Sequence, residues 1–142
     1  MEQMPECYIF DIDSTLALRN GRSPYDWNSV DTDVTNTPIV EIFQALRDYK
    51  KEAYFFLLTG RDEYCRDKTE KWLKDNGIVY HELFMRPAGS KELDTAVKVS
   101  MYNTHIKDKY KVVAVFEDRG RCVDLFRTHL GLTVLDVAGG KY

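Results

Sequence analysis

Cysteine is scarce in this chain of 142 residues: Cys7, Cys65 and Cys122 are odd in number, far apart and in no metal-type pair. That usage argues against a disulfide framework and a thiolate metal site, and fits reduced thiols in a cytosolic protein. No apolar run reaches the roughly 20 residues a membrane-spanning helix needs, which excludes a helical span. The N-terminus lacks a basic stretch followed by an apolar one, so no secretory signal is expected and the expected compartment is the cytoplasm. A surplus of positive charge is missing as well, since the net charge is −3 and the pI about 5.6. That argues against a broad basic face gripping nucleic acid through many phosphates, and leaves room for a small basic site. His81, His105 and His129 are scattered without ligand spacing. No internal repeat, low-complexity tract or linker divides the chain.

What is present argues for one folded domain over residues 1–142. The apolar share is 44%, with many aromatics, and the length suffices to bury a real core. Strand and helix patterns alternate. Cys7 to Phe10 is a short apolar run ending at Asp11, and Ala53 to Leu58 is a second, ending at Thr59-Gly60-Arg61. Ile78 to Met85, Val112 to Phe116 and Leu132 to Val137 read as three further strands. Between them, Ile39, Ile42, Phe43, Leu46 and Tyr49 recur at helical spacing, behind Thr37 as cap and Pro38 in the first turn. A second helix carries Trp72 and Leu73 inward and is closed by Gly77. A third runs from about Lys91 through Leu93, Val97 and Met101, and a fourth from Gly120 to His129. Residues 19–36 are polar and form a long loop or small insertion, the kind of segment that often carries function. The expected architecture is a doubly wound, three-layer α/β domain: a Rossmann-like parallel sheet of about five strands with a minimal cap.

Three of the strands end in reactive side chains: Asp11 and Asp13, Thr59 and Arg61, Glu117 and Asp118. In open parallel sheets ligands bind beyond the carboxyl ends, where strand order reverses. If the first and fourth strands are neighbours there, their acids meet in one crevice. Crowded carboxylates raise their pKa values or hold a cation, and Mg²⁺ suits oxygen ligands completed by a substrate phosphate. A carboxylate nucleophile divides phosphoryl transfer into two steps through an aspartyl-phosphate. An acid two residues on can protonate the leaving oxygen and then activate water. Thr59 and a lysine would hold the phosphoryl oxygens.

The runs Asp11-x-Asp13-x-Thr15-Leu16, Thr59 after a strand, a lysine opening a helix, and Glu117-Asp118 after a strand resemble the four motifs of the haloacid dehalogenase superfamily of phosphatases. A more discriminating resemblance covers most of the chain. Asn20-Gly21-Arg22-Ser23-Pro24-Tyr25-Asp26, Asp31-Thr32-Asp33-Val34, Thr59-Gly60-Arg61, Asp118-Arg119 and the closing Val137-Ala138-Gly139-Gly140 are similar to the phosphatase half of bacteriophage-type polynucleotide kinase/3′-phosphatases. The resemblance implies Asp11 as nucleophile and Asp13 as general acid/base. It implies Mg²⁺ held by the Asp11 side chain, the Asp13 backbone carbonyl and Asp118. It assigns phosphate to Thr59 and Lys91, with Lys98 as the rival lysine, and lines the substrate approach with Arg22, Arg61 and Arg119. The implied substrates are 3′-phosphates on DNA or RNA ends, with 2′,3′-cyclic phosphates often opened too, and a separate kinase or ligase is an implied partner. Ser14 stands where glycine is commoner in the family, and Glu117 replaces an aspartate and is expected to support the site. No Gly-x4-Gly-Lys-Ser/Thr loop occurs, which excludes kinase chemistry on this chain.

Each motif also has a plainer reading. Asp-x-Asp is commonly a solvated turn, Asp118 could cap a helix, and Thr59-Gly60-Arg61 could be a simple strand-to-helix turn. Lys91 could be a surface lysine, and the three arginines ordinary ion pairs. Tyr25 and Trp27 could stack on a base or simply pack. The order and spacing of the motifs together favour chemistry. Two other functions compete: a phosphatase of small metabolites or mononucleotides, and a silent binder of phosphorylated ends, against which the intact Asp11/Asp13 pair argues.

Overall fold

The computed structural model of the chain describes residues 3–138. Its elements are β1 (Glu6–Phe10), β2 (Ala17–Leu18), β3 (Val34–Thr35), α1 (Thr37–Tyr49), β4 (Tyr54–Asp62), α2 (Arg66–Asp75), β5 (Glu82–Arg86), α3 (Asp94–Met101), β6 (Lys111–Glu117), α4 (Gly120–Asp124) and β7 (Val134–Asp136). Five strands form one parallel sheet in the order β5-β4-β1-β6-β7. The chain runs outward from β1 through β4 to β5, then returns across β1 to β6 and β7. Strand order therefore reverses between β1 and β6, and the crevice of such a fold lies beyond their carboxyl ends.

Alternation along the strands builds the layers, because successive side chains point to opposite faces. Tyr8, Phe10, Phe55 and Leu57 pack with Val40 and Phe43 of α1 and with Trp72 and Leu73 of α2. Cys7, Ile9, Phe56 and Leu58 pack with Val97 and Met101 of α3 and with Cys122 and Val123 of α4. Both faces are covered, which is why the strands read as continuous apolar runs. Phe10 is fully buried, stacked on Phe116 at 4.2 Å between centroids and edge-on to Phe43 at 4.9 Å. Burying one such ring contributes about 1.5–3 kcal/mol, and each aromatic pair about 0.5–1.5 kcal/mol beyond that. The three cysteines are buried and free. Among the described residues no helix is long and apolar enough to cross a membrane.

Several boundaries differ from the expected ones. β4 continues past Leu58 to Asp62, so Thr59, Gly60 and Arg61 lie in the strand, across a register shift against β5. The third strand begins at Glu82 instead of Ile78, because its ladder partner in β4 starts at Phe56. The third helix begins at Asp94; Leu93 precedes it with extended backbone and is 71% exposed, so its place in the apolar spacing is coincidental. The fourth helix is split, with a wider π-type turn over Leu125–His129 after α4, and the last strand is shortened to Val134–Asp136. Asn36, not Thr37, precedes α1 as its cap residue, and its amide donates to the Thr15 carbonyl at 2.9 Å. Tyr49 is 82% exposed and lies off the buried face of α1. Gly77, at φ +70°, closes α2 as expected, with Ile78 N–H donating to Leu73 O at 3.0 Å.

The insertion is ordered. β2 and β3 pair antiparallel, and a 3₁₀ turn over Trp27–Thr32 buries Val30 completely. Trp72 Nε1 on α2 donates to Asp33 O at 2.8 Å and Lys68 Nζ to Asn28 O at 2.6 Å, which ties the segment to the body of the domain. Gly139 and Gly140 lie outside the described residues.

Candidate active site

The β1 ladder reaches one residue past the strand: Asp11 N–H donates to Phe116 O at 3.0 Å, which fixes Asp11 beside the end of β6. The chain then turns sharply, with Leu16 N–H on Ile12 O at 2.9 Å and Ser14 N–H on Ala17 O at 2.7 Å. Ser14 adopts φ +62°, the left-handed region that glycine enters without cost. Thr15 Oγ1 donates to Asp118 Oδ1 at 3.3 Å and so links the two strand tips.

Asp11, Glu117 and Asp118 are all buried, and each offers a carboxylate oxygen within 4.8 Å of the others. Lys98 answers two of them. Lys98, reaching in from α3 and itself buried, donates through Nζ to Glu117 Oε1 at 2.6 Å and to Asp11 Oδ1 at 3.0 Å. Glu117 Oε2 accepts the backbone N–H groups of Asp118 and Arg119 at 3.0 and 3.1 Å, so Glu117 is held from both sides. Burial would lower the Lys98 pKa, but the charges of Asp11 and Glu117 outweigh it and keep the ammonium protonated. Burial would raise Glu117, but Lys98 outweighs it and holds the carboxylate ionised. Asp11 goes the other way: burial, then the charges of Glu117 and Asp118, push it well above the usual carboxylate range against the pull of Lys98. Two of the three carboxyl groups bond to Lys98, and the donor atoms of all three are hard oxygens. That set fits a divalent cation of the magnesium type.

Asp13 sits on the other side of the turn in a cage of arginines. Arg61 Nε donates to both Asp13 oxygens at 3.1 and 3.2 Å, and Arg61 Nη2 to Oδ1 at 2.8 Å. Arg22 Nη2 reaches Oδ1 at 3.0 Å. Burial alone would raise Asp13, but Arg61 and then Arg22 outweigh it, and the net shift is downward. Arg22 and Arg61 are buried within this cage and paired with carboxylates, so they are not open guanidiniums on the surface of the approach. Thr59 is buried beneath the site, where its hydroxyl accepts Arg61 N–H at 3.0 Å.

Asp11, Asp13, Lys98 and Asp118 open into a cleft of about 640 Å³, whose lining also includes Lys91 and Arg119. Lys91 is exposed on the rim, while Lys98 alone of the two rival lysines touches Asp11. Arg119, half-exposed, donates through Nη1 to Asp94 Oδ2 at 2.6 Å, and Arg86 pairs with Asp94 Oδ1. Arg86 Nε also donates to Gly60 O at 2.8 Å, which fastens the end of β5 to β4.

A cleft at the reversal point, floored by a carboxylate triad and a buried lysine, is the geometry of a phosphoryl-transfer site. The family profile of the polynucleotide kinase PNKP phosphatase domain matches residues 5–142. The chain belongs to that family. As a PNKP phosphatase domain it is a phosphatase. A putative bifunctional polynucleotide kinase/RNA ligase of Autographa californica nuclear polyhedrosis virus is 31% identical over 138 residues, covering 96% of this chain and 20% of the viral protein. A chain from the solved Pnkp1/Rnl/Hen1 complex superposes with a TM-score of 0.92 at 32% identity, over 98% of this domain and 48% of that chain. A second, from the Pnkp1/Rnl/Hen1 RNA repair complex, gives 0.92 and 32% over 98% and 44%. The domain thus spans less than half the length of these relatives.

Sequence reasoning missed Asp33, Asp94 and Arg86 as members of the site's surroundings. Asp33 stood inside a quoted motif but in a segment with no periodicity to show which residues turn inward. Asp94 lies four residues before Lys98, one helical turn, so once Lys98 is placed in the site that spacing puts Asp94 on the same face.

Proposed function

We propose that this PNKP phosphatase domain removes 3′-phosphate groups from nucleic-acid ends with the help of Mg²⁺. The observation that carries the reading is Asp11 at the tip of β1, in contact with Lys98 and clustered with Asp118 at the bottom of an open cleft. The Asp11 side chain, the Asp13 backbone carbonyl and Asp118 would hold the ion. When bound, it offsets the charge of the acids and of the transferred phosphoryl group. The Asp11 carboxylate attacks phosphorus as the ester P–O bond breaks, and the leaving oxygen takes a proton from Asp13. Water then attacks the aspartyl-phosphate, Asp13 takes its proton, and phosphate departs. Lys98 holds Asp11 in place and neutralises charge beside it, whereas Lys91, Arg119 and the other rim cations meet the incoming strand. Asp13 must be protonated for the first step. The guanidiniums of Arg22 and Arg61 oppose that form, so substrate phosphate entering the cleft has to draw them partly away.

The insertion is small and the cleft stays open, which supports a polymer end over a small metabolite that needs enclosure. RNA in the names of the relatives puts RNA ends first, and their kinase and ligase names support a separate kinase or ligase acting on the same ends. The test is phosphate release from 3′-phosphate, 5′-phosphate and 2′,3′-cyclic ends of RNA and DNA, beside mononucleotides, with and without Mg²⁺. Rapid release from 3′-phosphorylated oligonucleotides, lost in Asp11→Asn and in chelator, is expected. Ready hydrolysis of mononucleotides with untouched oligonucleotide ends would refute the assignment.

A further inference from the structure

Beneath Asp13 lies a fourth charged group that the mechanism above does not use. Asp33, the residue before β3, has a completely buried carboxylate. Its Oδ1 accepts Arg22 Nε at 2.7 Å; its Oδ2 accepts Arg22 Nη2 at 3.0 Å and Arg61 Nη2 at 2.7 Å. The same two guanidiniums reach on to Asp13, whose side chain keeps 32% of its surface open to the cleft. Two carboxylates and two arginines therefore form one closed, charge-balanced square, with one corner buried and one facing the substrate. Asp33 is itself anchored through its main chain, with its N–H on Val30 O at 3.1 Å and its carbonyl on Trp72 Nε1 at 2.8 Å. Arg61 gains a further fixed point at Thr69 Oγ1, 3.1 Å away.

We propose that Asp33 is a positioning residue for Asp13, acting through Arg22 and Arg61. It takes up one edge of each guanidinium and so fixes the line on which both reach Asp13: three of their four bonds gather on Oδ1, and Oδ2 takes one, from Arg61 Nε at 3.1 Å. The proposal rests on the acid/base role of Asp13 given above. In that role the Asp11 oxygen bonds to phosphorus, the P–O ester bond breaks with its electron pair on the leaving oxygen, and the Asp13 proton moves to that oxygen. A misplaced Asp13 harms this step in proportion to how much the leaving oxygen needs the proton. A bond that is merely structural would weaken every substrate alike.

The experiment compares two esters under single-turnover conditions, so that only the first step is read. Asp33→Asn should slow release of an alkyl alcohol, from a simple alkyl phosphate and from a 3′-phosphorylated oligonucleotide, by about 10²-fold or more, the scale of general acid catalysis. Release of p-nitrophenolate from p-nitrophenyl phosphate, whose leaving group needs no proton, should fall less than about tenfold, with KM nearly unchanged. Asp13→Asn should reproduce the same contrast, and Asp33→Glu, which keeps the charge at a displaced position, should show it in weaker form. Should Asp33→Asn melt below the assay temperature, Asp33→Glu carries the comparison. Equal losses on aryl and alkyl esters, or no loss on the alkyl ester, would overturn the proposal. Wild-type protein that hydrolyses alkyl phosphate but ignores oligonucleotide ends would refute only the nucleic-acid substrate and leave the Asp33 comparison readable.

Discussion

Lys98 shows how a single residue decides the character of the site. Its buried ammonium stands between Asp11 and Glu117 at the floor of the cleft and pairs with both. Removing one partner of a buried ion pair leaves uncompensated charge and costs about 3–5 kcal/mol. Lys98→Met should therefore unfold earlier in denaturant by about that amount when metal is chelated, and should lose turnover. Saturating Mg²⁺ should recover part of the stability, since a cation bound at the triad favours the folded state, but not the activity. Chelator-treated and Mg²⁺-loaded unfolding curves of the variant check both halves. Lys98 could be placed from the sequence only as a rival to Lys91, because two lysines lie near the start of one helix and no periodicity says which faces the sheet. The true first residue of α3, Asp94, decides it: Lys98 then falls one turn into the helix, on the buried face with Val97 and Met101.

At the scale of elements, the site depends on how closely β4 approaches the start of α3. A Cβ on Gly60 would lie 2.7 Å from Asp94 Oδ1, closer than atoms can come. Asp94 cannot retreat freely, because Arg86 and Arg119 hold its two oxygens. Gly60→Ala should therefore lower stability by roughly 1–3 kcal/mol, the usual cost of overpacking, and should release Arg119 from Asp94. Denaturant unfolding measures the first effect. The second should appear as a raised KM for oligonucleotide with a smaller change in kcat. Strands were legible in the sequence wherever both faces are covered, as in Cys7 to Phe10 and Val112 to Phe116. Their ends were not, because Thr59 and Arg61 are polar yet buried, and only the surrounding hydroxyls and carboxylates make that burial tolerable. The insertion was visible as polar composition, but its inward-facing Asp33 was not.

On the whole molecule, the cations are few where a strand would enter: Arg19, Lys91, Arg119 and Arg121 line the cleft beside Asp62, Glu92 and Asp94, within a chain of net charge −3. Binding of a strand should thus rest on few phosphate contacts. With about three, the logarithm of the apparent affinity for a single-stranded 3′-phosphorylated oligonucleotide should fall against the logarithm of salt with a slope of roughly −2. Lys91→Ala should reduce that slope by roughly 0.7 while leaving turnover at saturation intact. A slope near zero, or one unchanged by the variant, would remove Lys91 from the strand's path.

By itself the sequence determined the alternating parallel architecture and the chemistry at the strand tips. Short apolar runs rich in β-branched and aromatic residues and bounded by turn residues suit strands covered on both faces, and paired acids directly after such strands emerge at the carboxyl edge. Tertiary structure alone decided which charges meet. The return of the chain across β1 brought Glu117 and Asp118 to Asp11, the packing of α3 against the sheet put Lys98 inward, and the folded insertion set Asp33 under Arg22 and Arg61. Those pairings join residues far apart along the chain, through burial and electrostatics that local spacing does not encode.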